Sequence, residues 1–251
     1  MSKIDSHSSK NILYLDIGNS SIKGAFKKGL KWELIHSERP LTALDLVNWI
    51  NEHPEAFSEI VVSSVRADVR EAIHEQFYDM RLTELSIKDI PRELLDYETI
   101  DTLGIDRFLA CYGATEQTTN SVVVIDAGTA ITIDFMDQDD VYHGGIIAPG
   151  LAAFAEILHE KAPALPNVEM DVPKIWPGKS TVNSLKWGQA GFYKMALEGF
   201  LDKYETEFGS FELFVTGGDS RLVEAMISCE SKVRPLLVFE GMERLKKRAH
   251  Q

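Results

Sequence analysis

The chain has 251 residues, of which 44% are hydrophobic and 26% are charged, and these proportions are ordinary for a globular protein. Its formal net charge of −13 argues against non-specific nucleic-acid binding, which depends on basic surfaces. The length allows one large domain or two domains of about 120 residues each.

The chain shows no sign of a targeting or membrane segment. Residues 1–10 are rich in Ser and His and lack the apolar core of a signal peptide, and no apolar run approaches the length that spans a bilayer. Cys111 and Cys229 have no metal-type spacing, and two cysteines are too few for a disulfide framework. We therefore expect a reduced, cytoplasmic protein.

The first half of the chain predicts a small antiparallel meander followed by alternating helices and strands. Residues 12–15 form a short apolar run that ends in Asp-x-Gly, which predicts a buried strand. The other predicted strands are residues 21–26, 31–36, 60–63 and 82–87. Periodic apolar positions predict helices over residues 42–51, 67–78 and 103–115.

The second half repeats this order. A second meander is predicted from strands at residues 122–125, 131–136 and 141–147, and a helix from residues 151–159. Four prolines make residues 162–178 a predicted loop. A long helix over residues 181–204, a strand at 211–215, a helix, a last strand at 236–239 and a basic C-terminal helix complete the prediction.

Two segments of the chain match each other closely. Each is an apolar run followed by Asp-x-Gly, a small polar residue and a second β-prone run. The matched pairs are Asp16 with Asp126, Gly18 with Gly128, and Asn19 with Thr129. The wide separation of the two copies favours two similar domains, which we place at residues 11–118 and 119–251.

The first copy has residue types that suit a phosphate loop. Gly18 lets the backbone turn tightly and approach a phosphate, and Asp16 can hold Mg²⁺ through water. The donors and positive charge nearby are Asn19, Ser20, Ser21 and Lys23. An ordinary β-turn uses the same residue types, so one copy alone leaves both interpretations open. In the second copy Thr129 supplies the hydroxyl, and the repetition favours the functional interpretation of the pair.

A segment between the two copies, residues 104–107, lies at the start of a predicted helix. Asp106 could accept the proton of an attacking hydroxyl, and Arg107 could grip a carboxylate with two hydrogen bonds. Acidic residues also stabilise the first turn of a helix, and the bare sequence favours that simpler interpretation. Asp134, on a predicted strand, is at least as compatible with a structural role.

Two further loops are rich in glycine, at residues 144–150 and 216–219. Either loop would let a backbone approach a ligand, and the second precedes a predicted helix whose N–H groups could meet an anion. His143 is interpreted as a surface or turn residue. Cys111 and Cys229 are interpreted as core residues of helices.

The strand and helix order of each half resembles the actin/hexokinase/Hsp70-type ATPase fold. This is an α/β fold of two similar, duplicated, ribonuclease H-like domains with mixed sheets flanked by helices. The motifs together resemble type III pantothenate kinase, and the match covers residues 12–245. The motifs that carry the resemblance are residues 16–23, 104–110, 126–130, 144–151, 216–219 and 235–241.

The resemblance implies an ATP-dependent phosphorylation of the primary hydroxyl of pantothenate, the first step of coenzyme A biosynthesis, with Asp106 as the catalytic base. It implies ATP contacts from Asp16, Ile17, Gly18, Asn19, Ser20, Ser21, Ile22, Lys23 and Thr129. It implies substrate contacts from Tyr97, Gly104, Ile105, Asp106, Arg107 and Thr181. Asp126 matches a ligand of a monovalent cation, K⁺ or NH₄⁺, and Asp16 would serve Mg²⁺.

The resemblance also implies a homodimer in which Thr181 reaches the substrate across the interface, with no nucleic acid or membrane as partner. The chain departs from the family pattern at Ser20, Ser180 and residues 162–163, where Ala-Pro replaces Thr-Ala. Two alternatives stay open: a kinase of the same superfamily that acts on a sugar or small acid, and a non-catalytic accessory factor for transcription.

Overall fold

The computed structural model describes residues 11–18, 22–36, 42–52, 57–64, 67–77 and 80–249. Contacts between Cα atoms divide the chain into two compact units. Unit 1 consists of residues 1–90, 104–106 and 242–251, and unit 2 consists of residues 91–103 and 107–241. The domain boundary predicted between residues 118 and 119 stays a prediction.

Unit 1 is built on a five-stranded mixed sheet. Its strands are β1 (Asn11–Ile17), β2 (Ile22–Lys28), β3 (Lys31–His36), β4 (Phe57–Ser64) and β5 (Arg81–Leu85), in the order β3-β2-β1-β4-β5. Strands β1, β2 and β3 are antiparallel neighbours, whereas β4 runs parallel to both β1 and β5. Its helices are α1 (Ala43–Glu52) and α2 (Ala67–Gln76).

One face of this sheet carries the core of unit 1. Alternate residues of β1 point to the same face, and Leu13, Leu15 and Ile17 are fully buried there with Leu46 of α1 and Ile73 of α2. The apolar runs that predicted these strands are therefore the residues that form the core. Tyr78, the last residue of the predicted helix 67–78, lies outside the described residues.

Unit 2 contains a second five-stranded mixed sheet. Its strands are β6 (Val122–Ala127), β7 (Ala130–Met136), β8 (Tyr142–Pro149), β9 (Glu212–Thr216) and β10 (Lys232–Val233), in the order β10-β9-β6-β7-β8. Strands β6, β7 and β8 are antiparallel neighbours, and β9 runs parallel to both β6 and β10. The order and directions match those of unit 1, which confirms that the sequence repeat is a repeat of topology.

The helices that lie wholly or partly in unit 2 are α3 (Ile105–Ala114), α4 (Leu151–Lys161), α5 (Thr181–Lys186), α6 (Phe192–Phe208), α7 (Ser220–Met226) and α8 (Leu237–Arg248). The predicted helix over residues 181–204 is divided by one π-helical turn, Trp187–Gly191, between α5 and α6. The core of the unit includes Val123 and Ile125 of β6, packed with Leu197 and Leu201 of α6.

The prediction of a last strand at residues 236–239 is wrong. Residues 237–239 instead form the start of α8, in which Leu237 and Phe239 are fully buried. A helix turn that is buried on all sides and a buried strand both appear as an uninterrupted apolar run, so periodicity does not separate them. The strand that pairs with β9 is instead the short β10.

Glycines let α8 approach α3 closely within unit 2. A Cβ atom on Gly113 would lie 2.1 Å from the carbonyl oxygen of Leu237, and one on Gly241 would lie 2.0 Å from that of Leu109. Each helix therefore places a glycine against the backbone of the other. In the described part of the chain, no helix has the length and apolar character needed to cross a membrane.

Candidate active site

The first Asp-x-Gly turn closes the hairpin of β1 and β2. Asp16 lies opposite Lys23, and Ile17 lies opposite the buried Ile22. Asp16 and Lys23 therefore share the face of the sheet that is opposite to the core of unit 1. Gly18 ends β1. The predicted contacts Asn19, Ser20 and Ser21 lie outside the described residues.

The second Asp-x-Gly turn joins β6 to β7. The N–H group of Gly128 donates to the carbonyl oxygen of Ala130 at 3.0 Å, and Thr129 is exposed at the tip. Asp126 is half-buried and pairs in register with Thr132 of β7 on one side and with Thr216 of β9 on the other. One carboxylate therefore stands among hydroxyl-bearing neighbours at the end of the central strand.

The two glycine-rich loops of unit 2 close on this turn. The N–H group of Gly150 donates to the carbonyl oxygen of Thr129 at 2.9 Å, and that of Asp219 donates to the carbonyl oxygen of Ala127 at 2.9 Å. A Cβ atom on Gly150 would lie 2.0 Å from the carbonyl oxygen of Gly128. Three loops that are distant in sequence therefore meet at the end of β6.

Gly217 is required at its position for two reasons. Its φ angle is 89°, in the left-handed region that favours glycine, and a Cβ atom there would lie 2.5 Å from Oδ1 of Asp126.

A tyrosine fixes the end of β8. The hydroxyl of Tyr193 donates to the carbonyl oxygen of Pro149. Burial and the charge of Asp219 raise the pKa of Tyr193 to about 12. Tyr193 is therefore a neutral donor that fixes the end of β8.

A buried ion pair lies at the start of α3. Arg107 donates from Nη2 to Oδ1 of Asp134 at 2.6 Å and from Nε to the same carboxylate at 3.1 Å. The side chains are 8% and 2% exposed, so water screens this pair little. Burial opposes the charge of Arg107, but the hydrogen bond and charge of Asp134 raise its pKa. Arg107 is therefore permanently charged.

Asp134 also holds Tyr142, whose hydroxyl donates to Oδ1 at 2.7 Å. Burial raises the pKa of Asp134, and the hydrogen bonds from Arg107 and Tyr142 oppose that rise. Gly145 pairs in register with Asp134, and a Cβ atom on Gly145 would lie 2.3 Å from its Oδ1. The glycine therefore leaves room for the carboxylate.

Tyr97 adds an aromatic wall to this cluster. Its ring lies 6.0 Å from that of Tyr142, and its hydroxyl is hydrogen-bonded to Arg107, which helps to raise the pKa of that guanidinium. Gly144 has a φ angle of 88°, and a Cβ atom on it would lie 3.1 Å from the Tyr97 ring. The Gly-Gly pair of the predicted ligand loop thus makes space for one aromatic ring and one carboxylate.

Asp106 differs from its neighbour in burial. It stands in the first turn of α3, immediately after Gly104 and the buried Ile105, and its side chain is exposed whereas that of Arg107 is buried. Successive residues of a helix point about 100° apart, so one can be anchored while the next faces solvent. Asp106 is therefore exposed to solvent in the first turn of α3, and the buried Arg107–Asp134 pair fixes the next residue of that turn.

Thr181 is the first residue of α5 and is exposed. The side chain of Ser180 caps this helix by accepting from the N–H group of Asn183 at 3.2 Å. Ser and Asn are both good N-caps, so the departure from the family pattern at Ser180 keeps its local role. The predicted role of Thr181 depends on a partner subunit and stays a prediction.

On sequence alone, Asp134 is at least as compatible with a structural role, and its buried pair with Arg107 agrees with that. From the sequence, His143 is interpreted as a surface or turn residue, and Tyr142 is not singled out. Asp134 follows a buried strand pattern in which a carboxylate is out of place, and that mismatch was the available signal. The interpretation of Cys111 as a core residue agrees with its complete burial, which raises the pKa of its thiol. The interpretation of Cys229 as a core residue of a helix is wrong, because Cys229 is exposed and lies between α7 and β10.

Comparison with known proteins identifies the family. A family model described as type III pantothenate kinase matches residues 12–203. The chain belongs to this family. It is accordingly an enzyme, a phosphotransferase with an alcohol group as acceptor, and the family implies ATP with a divalent metal.

Individual relatives agree with this assignment. A type III pantothenate kinase of Flavobacterium johnsoniae is 33% identical over 214 residues, which cover 84% of this chain and 87% of the relative. One of Listeria monocytogenes serovar 1/2a is 29% identical over 260 residues, which cover 94% and 97%. The relatives are therefore matched over nearly their whole length.

Solved structures agree at the level of the fold. A Campylobacter jejuni protein assigned to the Baf family of transcriptional activators matches with a TM-score of 0.65 and 24% identity, covering 94% of this chain and 98% of that one. A chain of the PilM–PilN type IV pilus biogenesis complex matches with a TM-score of 0.51 and 10% identity. The match covers 96% of this chain and 98% of that one. The predicted fold class is confirmed: the chain has the α/β fold of the actin-like ATPases, with two mixed sheets flanked by helices.

Proposed function

We propose that the protein transfers the γ-phosphoryl group of ATP to the primary hydroxyl of pantothenate, which forms 4′-phosphopantothenate, with Asp106 as the general base. The observation that carries the proposal is the contrast between two neighbours at the start of α3. Asp106 is exposed, whereas Arg107 is buried and forms an ion pair with Asp134. Phosphoryl transfer needs a positioned carboxylate that aligns the hydroxyl and takes its proton. A helix start held by a buried ion pair provides such a position.

The glycine loops of unit 2 support nucleotide binding. Gly150 and Gly217 both stand where any Cβ atom would collide with the Asp126–Thr129 turn, so this backbone is closely packed around the turn. Thr129 is exposed at its tip and would contact the nucleotide. In unit 1, the residues proposed to contact ATP are Asp16, Ile17, Gly18, Ile22 and Lys23, with Asn19, Ser20 and Ser21 of the same loop.

The residues present fit the metal ions that this chemistry uses. Among the described residues, no group of three or more His, Cys, Asp or Glu side chains gathers as a metal cage. Mg²⁺ in kinases is bound through one or two carboxylates, water and substrate phosphates, so Asp16 suffices on the protein side. We assign Asp126, with its Thr132 and Thr216 neighbours, to a monovalent cation, K⁺ or NH₄⁺. Bound cations would neutralise charge on the phosphates.

The substrate side is assigned to the cluster around Arg107. Asp134 and Tyr97 hold the guanidinium of Arg107 in one orientation. Arg107 would therefore donate to pantothenate from a fixed position, without a rearrangement of its side chain. Tyr97, Gly104 and Ile105 complete this side, and Thr181 would be contributed by a partner subunit.

An apolar surface on unit 2 supports a homodimer. Phe192 and Met195 of α6 are 60% and 59% exposed. Phe192 stacks on Phe154 of α4, the helix whose Ile157 is 52% exposed. Phe192 and Phe200 also line an apolar cavity of about 250 Å³ between α6 and the sheet. A second copy of the chain would cover this surface and bring its Thr181 to the site.

A coupled assay of ADP release tests the proposal. We expect pantothenate-dependent ADP release with ATP and Mg²⁺ that is high in K⁺ or NH₄⁺ buffer and low in Na⁺ buffer. Full activity in Na⁺ alone would contradict the role of Asp126. Phosphorylation of a hexose or acetate in place of pantothenate would favour a different kinase, and a folded protein with no kinase activity would favour the accessory-factor alternative. The cytoplasmic location stays a prediction.

A further inference from the structure

His143 lies between two carboxylates. Its Nε2 is 2.8 Å from Oδ2 of Asp137, and its Nδ1 is 3.1 Å from Oδ2 of Asp96. A carboxylate oxygen only accepts hydrogen bonds, and a neutral imidazole has one N–H donor. Both contacts are therefore satisfied only when the ring is an imidazolium that donates from both nitrogens.

One of the two carboxylates is fixed by the backbone. Oδ1 of Asp137 accepts from the N–H groups of Asp139 and Val141, both at 2.9 Å, so this side chain belongs to the turn between β7 and β8. These two bonds, together with the bond and charge of His143, lower the pKa of Asp137 against the opposing effect of its burial. Asp137 is thus a rigid anchor that orients the imidazole ring.

The other carboxylate belongs to the segment that carries Tyr97. The side chain of Asp96 is 76% exposed, and its described ion pair is with His143. The backbone of the segment pairs with β8, since the N–H group of Asp96 donates to the carbonyl oxygen of Tyr142 at 3.0 Å. Tyr97 follows directly, with its ring against Gly144 and its hydroxyl on Arg107.

We propose that His143 is a positioning residue: its imidazolium ties Asp96 to Asp137 and thereby holds Tyr97 against β8 in the conformation that binds the substrate. This inference rests on the proposed function, because Tyr97 is assigned there to the pantothenate side. It adds a residue that touches no substrate and acts through Asp96.

Aromatic side chains fix the other faces of the imidazole ring. His143 packs beside the rings of Phe135 and Phe208, at 5.7 and 5.8 Å, and its charged neighbours among these contacts are Asp96 and Asp137. Tyr204 of α6 stacks on Phe135 and stays neutral because burial raises its pKa. Because two backbone N–H groups hold Asp137, removal of the imidazole would release the exposed Asp96 and leave Asp137 in place.

Two readouts test the proposal on His143→Gln, with His159→Gln on the exposed side of α4 as the matched control. The first is amide hydrogen exchange at Asp96, which needs no activity. We expect faster exchange in His143→Gln than in the wild type and no change in His159→Gln. Unchanged exchange at Asp96 in His143→Gln would overturn the proposal.

The second readout is steady-state kinetics. We expect the KM for pantothenate to rise about three- to tenfold in His143→Gln, with the KM for ATP and kcat within about twofold of the wild type. An equal rise in both KM values would indicate a general defect and overturn the proposal.

A second variant keeps the test valid if His143→Gln folds poorly. Asp96→Ala removes an exposed side chain and should reproduce the rise in KM for pantothenate, and the double variant should add little to either single variant. Additive effects would contradict action through Asp96. If the wild type does not phosphorylate pantothenate at all, the proposed function fails, and the exchange measurement alone still decides whether His143 holds the segment.

Discussion

At the scale of single residues, burial separates two neighbours that the sequence presented as a pair of ligands. Asp106 is exposed and Arg107 is buried, although they are adjacent on α3. The sequence predicted a helix start with a carboxylate and a guanidinium, and this is observed. It could not identify the partner of Arg107, because Asp134 is 27 positions away and nothing local specifies that pairing.

The exposure of Asp106 makes the catalytic prediction separable from stability. We expect Asp106→Asn to lower kcat by about 10²- to 10⁴-fold, since a general base contributes roughly that much. The free energy of unfolding should fall by no more than about 1 kcal/mol, the contribution of an acidic residue in the first turn of a helix. Steady-state kinetics and chemical denaturation measure the two quantities. Asp101→Asn, at another exposed carboxylate just before α3, is the control. A near wild-type rate for Asp106→Asn would contradict the assignment of the base.

For Asp134→Asn, by contrast, we expect mainly a loss in the free energy of unfolding. Asp134→Asn leaves the buried charge of Arg107 without its carboxylate, and breaking such a pair costs about 3–5 kcal/mol. Urea denaturation should show this loss, whereas Asp139→Asn, on the exposed turn after β7, should change stability little. If Asp134→Asn is as stable as the wild type, the buried pair does not hold the start of α3.

At the scale of elements, glycines decide how closely loops and helices approach. Several glycines of the predicted ligand loops stand where a Cβ atom would collide with a neighbouring backbone or carboxylate. The sequence showed that the loops at residues 144–150 and 216–219 were rich in glycine. It did not show which neighbour each glycine faces, because those neighbours come from other strands. The helical start of α8 was missed for a related reason: its apolar residues are buried on all sides by elements distant in sequence.

Two adjacent glycines give a matched test of the loop after β9. Gly217 has a φ angle of 89° and would place a Cβ atom 2.3 Å from the carbonyl oxygen of Ala127, whereas a Cβ atom on Gly218 would meet nothing within 4 Å. We expect Gly217→Ala to lower the free energy of unfolding by at least about 2 kcal/mol and Gly218→Ala to change it little. Thermal or urea denaturation measures both. Equal stability of the two variants would contradict the proposed packing.

At the scale of the whole molecule, one topology occurs twice. The strand order and directions of β3-β2-β1-β4-β5 are repeated in β8-β7-β6-β9-β10. Each copy ends its central strand with an Asp-x-Gly turn, and we propose that the two turns serve different ions. The segment that we assign to substrate recognition, residues 104–107, belongs to neither copy of the repeat.

A shared active site predicts complementation between two inactive variants. Asp106→Asn and Thr181→Ala would each inactivate both sites of its own homodimer. A mixed dimer would contain one site with both native residues, so an equal mixture that exchanges subunits should recover about a quarter of the wild-type activity. Size-exclusion chromatography would verify the dimer, and activity of the mixture is the measurement. No recovery from a verified mixed dimer would contradict a site shared between subunits.

The sequence by itself determined the repeat, the buried strands and the two Asp-x-Gly turns, because these follow from local apolar patterns and from residues next to one another. Their resemblance to one family also predicted the fold and the kind of reaction. The tertiary structure decided which side chains meet: Arg107 with Asp134, His143 with Asp96 and Asp137, and Gly217 with the turn at Asp126. These contacts join distant segments, and they depend on the packing of strands and helices, which no local pattern encodes.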